Sequence, residues 1–432
     1  MRLCFPTRLR AFVLCGLLLL AALPAFAFPA FAFDEDHHEV VNGALLHFRV
    51  RGTDKTHPYL VILHGRPGFS AHMFYSWGPS LEKTLNVVYL DQRGSGESAH
   101  LTVANVMAPT PAEIKGYTVA NLLGDIEGVR QSLKVDRWYV LGHSWGGMLG
   151  LEYVTAHPDH VLGYVHMDGL VSVPQMQNSV LDSAGKKFAG TDPKDDADLA
   201  QVMQLRALPP DNPIRLFGAL GLAMGPAGLY FAGDQKAGFA AAYAQIGAAI
   251  APYHLAPATL MPASEPGAAL IVSDHYLTRD DTPLLAKVTV PTLILNGKQD
   301  GIIPLSVAEA AHTAIKGSQL VELDHCGHFP FFEQPEKTTA AILAFTAPKK
   351  AGGPGPPVEG RDQFATVGFT IDEKGHATQV HLTHSSGDEG VDAACLAAIR
   401  KTRFRPGVKD GKPISQEGEY TFMMAWARPT RC

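Results

Sequence analysis

A serine sits among glycines at Gly142-His143-Ser144-Trp145-Gly146-Gly147. The apolar run Trp138-Tyr139-Val140-Leu141 precedes it, and a helix-like stretch, residues 148–157, follows. Strand, sharp turn and helix lift a serine hydroxyl above a sheet edge, where it can act as a nucleophile. Gly142 and Gly146 flank the turn, where a side chain would crowd a strained backbone. The backbone N–H of Trp145 starts the helix and can face a developing oxyanion. A glycine-rich turn around a merely buried serine has the same short pattern, so the chemistry depends on partners elsewhere in the chain.

Two later strand ends supply those partners. Residues 291–296 run into Gly297-Lys298-Gln299-Asp300, and residues 319–323 run into Asp324-His325-Cys326-Gly327-His328. Serine alone is a weak nucleophile and needs a base held by an acid. His328 would take the Ser144 proton and pass it to the leaving group, while Asp300 would fix the imidazole tautomer. His325 and Asp324 are the competing choices. Gly327 favours His328, because it allows the loop to reach the serine turn. A zinc site from His325, Cys326 and His328 lacks a second cluster of ligands. The strand at residues 59–63 ends in His64-Gly65-Arg66-Pro67-Gly68, where the Arg66 N–H would be the second oxyanion donor. No motif calls for a metal or a cofactor.

Holding these loops requires a sheet. Residues 59–63 and 87–90 are short continuous apolar runs, as in strands buried on both faces. Residues 118–133 carry Val119, Leu122, Leu123, Ile126, Val129 and Leu133 at helical steps, and residues 161–166 form another strand. Strands alternating with amphipathic helices predict an α/β fold with a mostly parallel sheet. Residues 43–51 alternate like an edge strand, and the preceding Asp34-Glu35-Asp36-His37-His38-Glu39 reads as a solvated polar lead-in, not a metal site. Asp91-Gln92-Arg93-Gly94-Ser95-Gly96-Glu97-Ser98 reads alone as a polar turn. Residues 171–285 lack strand runs and predict a helical cap over the site. A helix at residues 335–345 closes this domain, residues 33–348.

The N-terminus has its own logic. Arg2, Arg8 and Arg10 precede an apolar run, followed by Ala25-Phe26-Ala27 and Ala30-Phe31-Ala32, the layout of a cleavable signal peptide over residues 1–32. Pro24 and Pro29 interrupt the stretch, although an uncleaved inner-membrane anchor is the rival reading. Cleavage takes the net charge from −6 to −9, an acidic exported protein with nothing to suggest a nucleic-acid partner. Cys326, Cys395 and Cys432 remain, too few for a disulfide scaffold but enough for one bridge, with Cys395 and Cys432 as the candidate pair.

The combination His-Gly-x-Pro-Gly, Asp-Gln-Arg-Gly-x-Gly-x-Ser, Gly-x-Ser-Trp-Gly and a late Gly-His resembles the α/β-hydrolase superfamily. It is most similar to the prolyl iminopeptidase branch, peptidase family S33. The resemblance implies Ser144, Asp300 and His328 as a triad, Arg66 and Trp145 as oxyanion donors, and removal of an N-terminal proline from short peptides through an acyl-enzyme. Two departures matter. Arg66 stands where the family usually has glycine, though only a backbone N–H is required there. The family holds the substrate amine with cap glutamates, whereas residues 171–281 contain only Glu265. A buried ammonium without a carboxylate is costly, so an esterase or lactonase acting on small apolar substrates is the alternative.

Residues 349–357 are a Gly- and Pro-rich linker. Beyond them, alternation at residues 364–370 and 377–382, a helix at residues 389–401 and a strand at residues 417–426 give a ββαβ order. With Phe404-Arg405-Pro406-Gly407 and Gly411-Lys412-Pro413, residues 358–432 resemble the TonB C-terminal domain, a small α+β unit. The resemblance implies docking to an envelope protein by strand pairing. An adaptor with an inert hydrolase fold is therefore the reading of a different class.

Overall fold

The structure is a computed structural model that describes residues 33–100, 104, 110–189, 193–255, 264–347, 364–384, 389–404, 406–409 and 412–423. The expected signal peptide, the 349–357 linker and Cys432 lie outside the described residues. The chain divides into two compact units, Met1–Ala347 and Pro348–Cys432.

The first unit is built on eight strands: β1 (Phe33–Val41), β2 (Ala44–Gly52), β3 (Tyr59–Leu63), β4 (Asn86–Leu90), β5 (Trp138–His143), β6 (Val161–Met167), β7 (Thr292–Gly297) and β8 (Gln319–Leu323). They lie in the order β1-β2-β4-β3-β5-β6-β7-β8. β1, β2 and β4 pair antiparallel, and every pair from β4 to β8 is parallel. Helix α1 (Val119–Ser132) follows β4, and α2 (Trp145–Ala156) follows β5. The continuous apolar strands are explained by their two covered faces. Val61, Leu63, Val88 and Val140 pack on one side with Val119, Leu122 and Ile126 of α1. Leu60, Ile62, Val87 and Leu141 pack on the other with Phe331 and Ile342. Successive residues of a strand point to opposite faces, so both parities must be apolar.

The N-terminal reading needs correction. Residues 34–39 are part of β1, and β1, not β2, is the edge of the sheet. Asn42 (φ 47°) and Gly43 (φ 75°) turn the chain between them. Asn-Gly is the pair that favours a tight hairpin turn, which the polar composition of β1 obscured. One face of β1 meets solvent, so charge is compatible with an edge strand.

Between β6 and β7 the described chain forms α3 (Val173–Phe188), α4 (Pro193–Ala207), α5 (Pro213–Met224), α6 (Gln235–Ile250), α7 (Glu265–Ser273) and the short α8 (Thr282–Leu285). This is the helical insertion. α9 (Leu305–Ala314), α10 (Pro330–Glu333) and α11 (Pro335–Thr346) complete the unit. Among the described residues, no helix is long and apolar enough to cross a membrane.

In the second unit β9 (Phe364–Ile371) is central, flanked by β10 (Ala377–His384) and β13 (Gln416–Met423). Helix α12 (Glu389–Lys401) buries Cys395 and Ile399 against Val367 and Phe369. A hairpin of β11 (Gly407–Lys409) and β12 (Lys412–Ile414) adds to the ββαβ order read from the sequence. Three-residue strands carrying Lys409, Lys412 and Pro413 leave too little alternation to be read as strands.

Candidate active site

The end of β5 and the start of α2 are forced together at Ser144. Its backbone lies at φ 55°, ψ −119°, a conformation that costs a non-glycine residue on the order of 1–3 kcal/mol. Three hydrogen bonds hold it: Ser144 N–H to Met167 O at 3.1 Å, and Gly147 and Leu170 N–H to Ser144 O at 2.8 and 2.9 Å. A Cβ on Gly142 would lie 2.1 Å from the Gly146 carbonyl oxygen, and one on Gly146 would lie 2.0 Å from that of Leu63. Both glycines are therefore required by backbone contact.

The three strand ends meet. His328 Nε2 is 3.0 Å from Ser144 Oγ, and His328 Nδ1 is 2.7 Å from Asp300 Oδ2. The other Asp300 oxygen accepts the N–H groups of Ile302 (2.7 Å) and Ile303 (3.0 Å), which fixes the plane of the carboxylate. Because that carboxylate accepts, His328 Nδ1–H donates to it, and Nε2 faces the Ser144 hydroxyl. The backbones of the acid and base loops also touch, since a Cβ on Gly297 would lie 2.1 Å from Gly327 O. Gly327 serves a different close approach from the one expected. Its missing Cβ makes room for Tyr230 O of the insertion, at 2.5 Å, and not for the serine turn.

The competing residues point elsewhere. His325 is exposed, and Asp324 is exposed and pairs with Lys298 at 3.0 Å. Cys326 is buried, and burial followed by the charges of Asp168 and Glu333 pushes its thiol up, away from nucleophilic character.

The loop after β3 lies against the serine turn. A Cβ on Gly65 would be 3.1 Å from Ser144 Cβ. Arg66 follows at φ 36°, and among the described residues neither its N–H nor that of Trp145 has a hydrogen-bond partner. Two free backbone donors beside a nucleophile are suited to receive an oxyanion.

Sequence reasoning passed over several residues here. Gln92, in the turn after β4, accepts from Trp145 Nε1 at 3.0 Å and donates to His64 O at 2.8 Å, so it props both the serine turn and the loop after β3. Arg93 grips Asp125 of α1 through two hydrogen bonds of 2.8 and 2.6 Å. His143 Nε2–H donates to His328 O at 2.8 Å. Burial, then the nearby His328 ring, holds His143 well below its ordinary value, hence neutral. Asp168 is fully buried at the end of β6 and accepts Gly297 N–H at 2.9 Å. Burial, then the Asp300 charge, raises its carboxyl well above the usual range. Asp168, Asp300 and His328 each offer an atom within 4.8 Å of the others, and Asp168 Oδ2 has no hydrogen-bond partner among the described residues. From the insertion, Tyr276 packs edge-on against Trp145 with centroids 5.3 Å apart, and Tyr230 packs against His328 at 5.6 Å. None of these had a local motif except Gln92 and Arg93, whose Asp-Gln-Arg-Gly run was visible.

The fold and this arrangement define the class. Residues 58–211 and 226–335 match the alpha/beta hydrolase fold family, and the chain belongs to it. It is a serine hydrolase, prolyl iminopeptidase-like in sequence. It is 27% identical over 296 residues to a probable proline iminopeptidase of Leptolyngbya boryana, covering 62% of this chain and 80% of the relative. It is 27% identical over 323 residues to a proline iminopeptidase of Saccharolobus solfataricus, covering 69% and 86%. The crystal structure of a proline iminopeptidase-related protein from Thermus thermophilus superposes with a TM-score of 0.54 at 24% identity, covering 73% of this chain and 98% of that one. Residues 360–424 match the Gram-negative bacterial TonB protein C-terminal family.

Proposed function

We propose that Ser144, His328 and Asp300 form the catalytic triad of an exported hydrolase that removes an N-terminal proline from short peptides. The observation that carries this is the unbroken chain from Asp300 through His328 to Ser144, ending at a serine held in strained backbone geometry. The likeness to iminopeptidases along most of their length supports the substrate class. Ser144 Oγ attacks the carbonyl carbon of the substrate while its proton passes to His328 Nε2. The carbonyl oxygen becomes an oxyanion facing the N–H groups of Arg66 and Trp145. Asp300 stabilises the imidazolium, which then protonates the departing amine as the C–N bond breaks. Water, deprotonated by His328, cleaves the acyl-enzyme and restores Ser144.

A second reading, an esterase or lactonase, is favoured by an apolar pocket lined by Phe329, the residue after His328. Phe69, Met73, Phe231, Phe239, Ile246 and Phe332 line it, and no lining residue is a carboxylate. Such a surface suits an apolar acyl or alcohol group more than an ammonium. Hydrolysis of a proline anilide beside short-chain nitrophenyl esters, by wild type and Ser144→Ala, decides the matter. Serine-dependent release from the anilide supports the aminopeptidase; ester cleavage alone moves the assignment to the second reading. We assign the TonB-like unit a docking role toward an envelope protein, with the outer strands β10 and β13 as the pairing edges. Export is tested by the mass and location of the mature chain.

A further inference from the structure

The turn after β4 does more than prop the serine turn and the loop after β3. Asp91 is fully buried, and the chain closes on it so tightly that a Cβ on Gly96 would lie 2.2 Å from its carboxyl carbon. One Asp91 oxygen meets His47 Nδ1 at 2.7 Å; the other accepts from Ser70 Oγ at 2.9 Å and from Ala71 N–H at 2.8 Å. Ser70 Oγ in turn lies 2.6 Å from His72 Nδ1. Two buried imidazoles, one from β2 and one from the loop after β3, are thus pinned through their Nδ1 atoms. Their Nε2 atoms converge on a third group. Glu97 Oε1 is 3.1 Å from His72 Nε2 and 3.6 Å from His47 Nε2, and Asp36 Oδ1 of β1 is 2.9 Å from His47 Nε2.

We propose that His47, His72 and Glu97 bind one divalent transition-metal ion of the zinc class, with the remaining position left to solvent. Ligand atoms about 2.0–2.1 Å from a tetrahedral zinc stand roughly 3.3–3.4 Å from each other, and Glu97 stands 3.1 and 3.6 Å from the two histidines. Two imidazoles and one carboxylate form a donor set that zinc accepts. Histidine ligands are oriented by a hydrogen bond on the other ring nitrogen, the role Asp91 and Ser70 play. Glu97 is partly exposed and gives the ion a route in from solvent. Asp36 meets only His47 of the three and pairs with Arg49 at 3.3 Å, so it stands outside the ligand set. The ion would join β2 and the loops after β3 and β4. His72 also lines the apolar pocket, so the clamp would set the position of one pocket wall.

The test uses the untagged mature chain. Zinc is titrated by calorimetry, the loaded protein is desalted for metal analysis, and crystals are measured at the zinc absorption edge. The expected result is one retained zinc per chain, a raised melting temperature and an anomalous peak between His47 and His72. Glu97→Gln, on the partly exposed ligand, is expected to weaken binding at least 10-fold, and His72→Gln to abolish retention. Should the histidine variant fold poorly, the Glu97 variant and the anomalous peak still decide. Absence of retained zinc, a peak at His328 or at His157 and His160 instead, or undiminished binding by Glu97→Gln overturns the proposal. None of these readouts depends on the hydrolytic reaction.

Discussion

Replacing Gly142 by alanine adds one methyl group at the most crowded point of the serine turn. That methyl would stand 2.1 Å from Gly146 O, 2.6 Å from Gly146 C and 2.8 Å from Gly147 Cα. All three are backbone atoms, so no side chain can rotate away. Relief requires moving the start of α2 from β5 by about 1 Å, and overpacking of this kind costs about 1–3 kcal/mol. The shift carries Ser144 Oγ and the Trp145 N–H with it. A misplacement of about 1 Å at a reacting group lowers rate about 10²-fold. The expected outcome is kcat/KM down about 10²-fold with a modest fall in melting temperature, about 2–4 °C per kcal/mol. Gly221→Ala is the control, because nothing lies within 4 Å of its added methyl on exposed α5. There the change should raise stability by about 0.4–1 kcal/mol and leave activity alone. The assay is steady-state hydrolysis of whichever of the two substrate types shows Ser144-dependent turnover, with thermal melts alongside. Wild-type activity in Gly142→Ala would refute the claim that backbone contact positions the nucleophile.

Other perturbations separate the neighbouring groups. Asp300→Asn should lower kcat about 10⁴-fold through the wrong His328 tautomer, whereas Asp168→Asn, which keeps a neutral hydrogen-bonding group, should stay within about tenfold; equal losses in paired kinetics would show that the acid role is misassigned. Arg51 pairs with buried Glu82 at 2.8 Å, so Arg51→Met should destabilise by about 3–5 kcal/mol in denaturant melts, and adding Glu82→Leu should recover much of the loss. Burial holds His166, beneath the serine turn, down to about 4. Its folded value lies below its unfolded one, so the unfolded chain binds the extra proton and stability falls as pH drops from about 6.5 toward 4; a melting profile no flatter in His166→Gln would count against this. Glu333 accepts N–H groups from Ala232 and Gly327 at 2.8 and 2.9 Å, so Glu333→Gln should lower kcat more than it changes KM, as steady-state kinetics would reveal.

Much of this was legible because backbone and chemistry leave local marks. Short apolar runs bounded by turn residues are consistent with strands covered on both faces, and β3, β4 and β7 are such strands. Ser144, Asp300 and His328 follow β5, β7 and β8, so their convergence in space could be expected from chain order. The edge strand β1 was hidden because its pairing to β2 satisfies the backbone whatever the side chains, and charged residues suit a solvent-facing edge. Its one clear signal was Asn42-Gly43. Asp168, His143, Tyr230 and Tyr276 were hidden for another reason. Their roles come from contacts between distant segments, such as Tyr276 with Trp145, and no spacing in the sequence records those.

Those contacts change what the insertion does. A cap that only selected substrates could touch the triad through side chains alone. Here its backbone is part of the support: Tyr230 O accepts the His328 N–H at 2.7 Å, and Leu229 O accepts the Gly301 N–H, next to Asp300, at 3.1 Å. Glu333 then ties Ala232 of the same segment to Gly327 of the base loop. Residues 229–232 therefore hold both the acid and the base loop in register, through atoms present whatever the side chains are. The side chains of the insertion are free to vary with substrate, while its path past the triad is fixed by hydrogen bonds that any residue other than proline could make. That separation accounts for an insertion short of recognisable motifs packed beside Ser144, Asp300 and His328, whose motifs are plain.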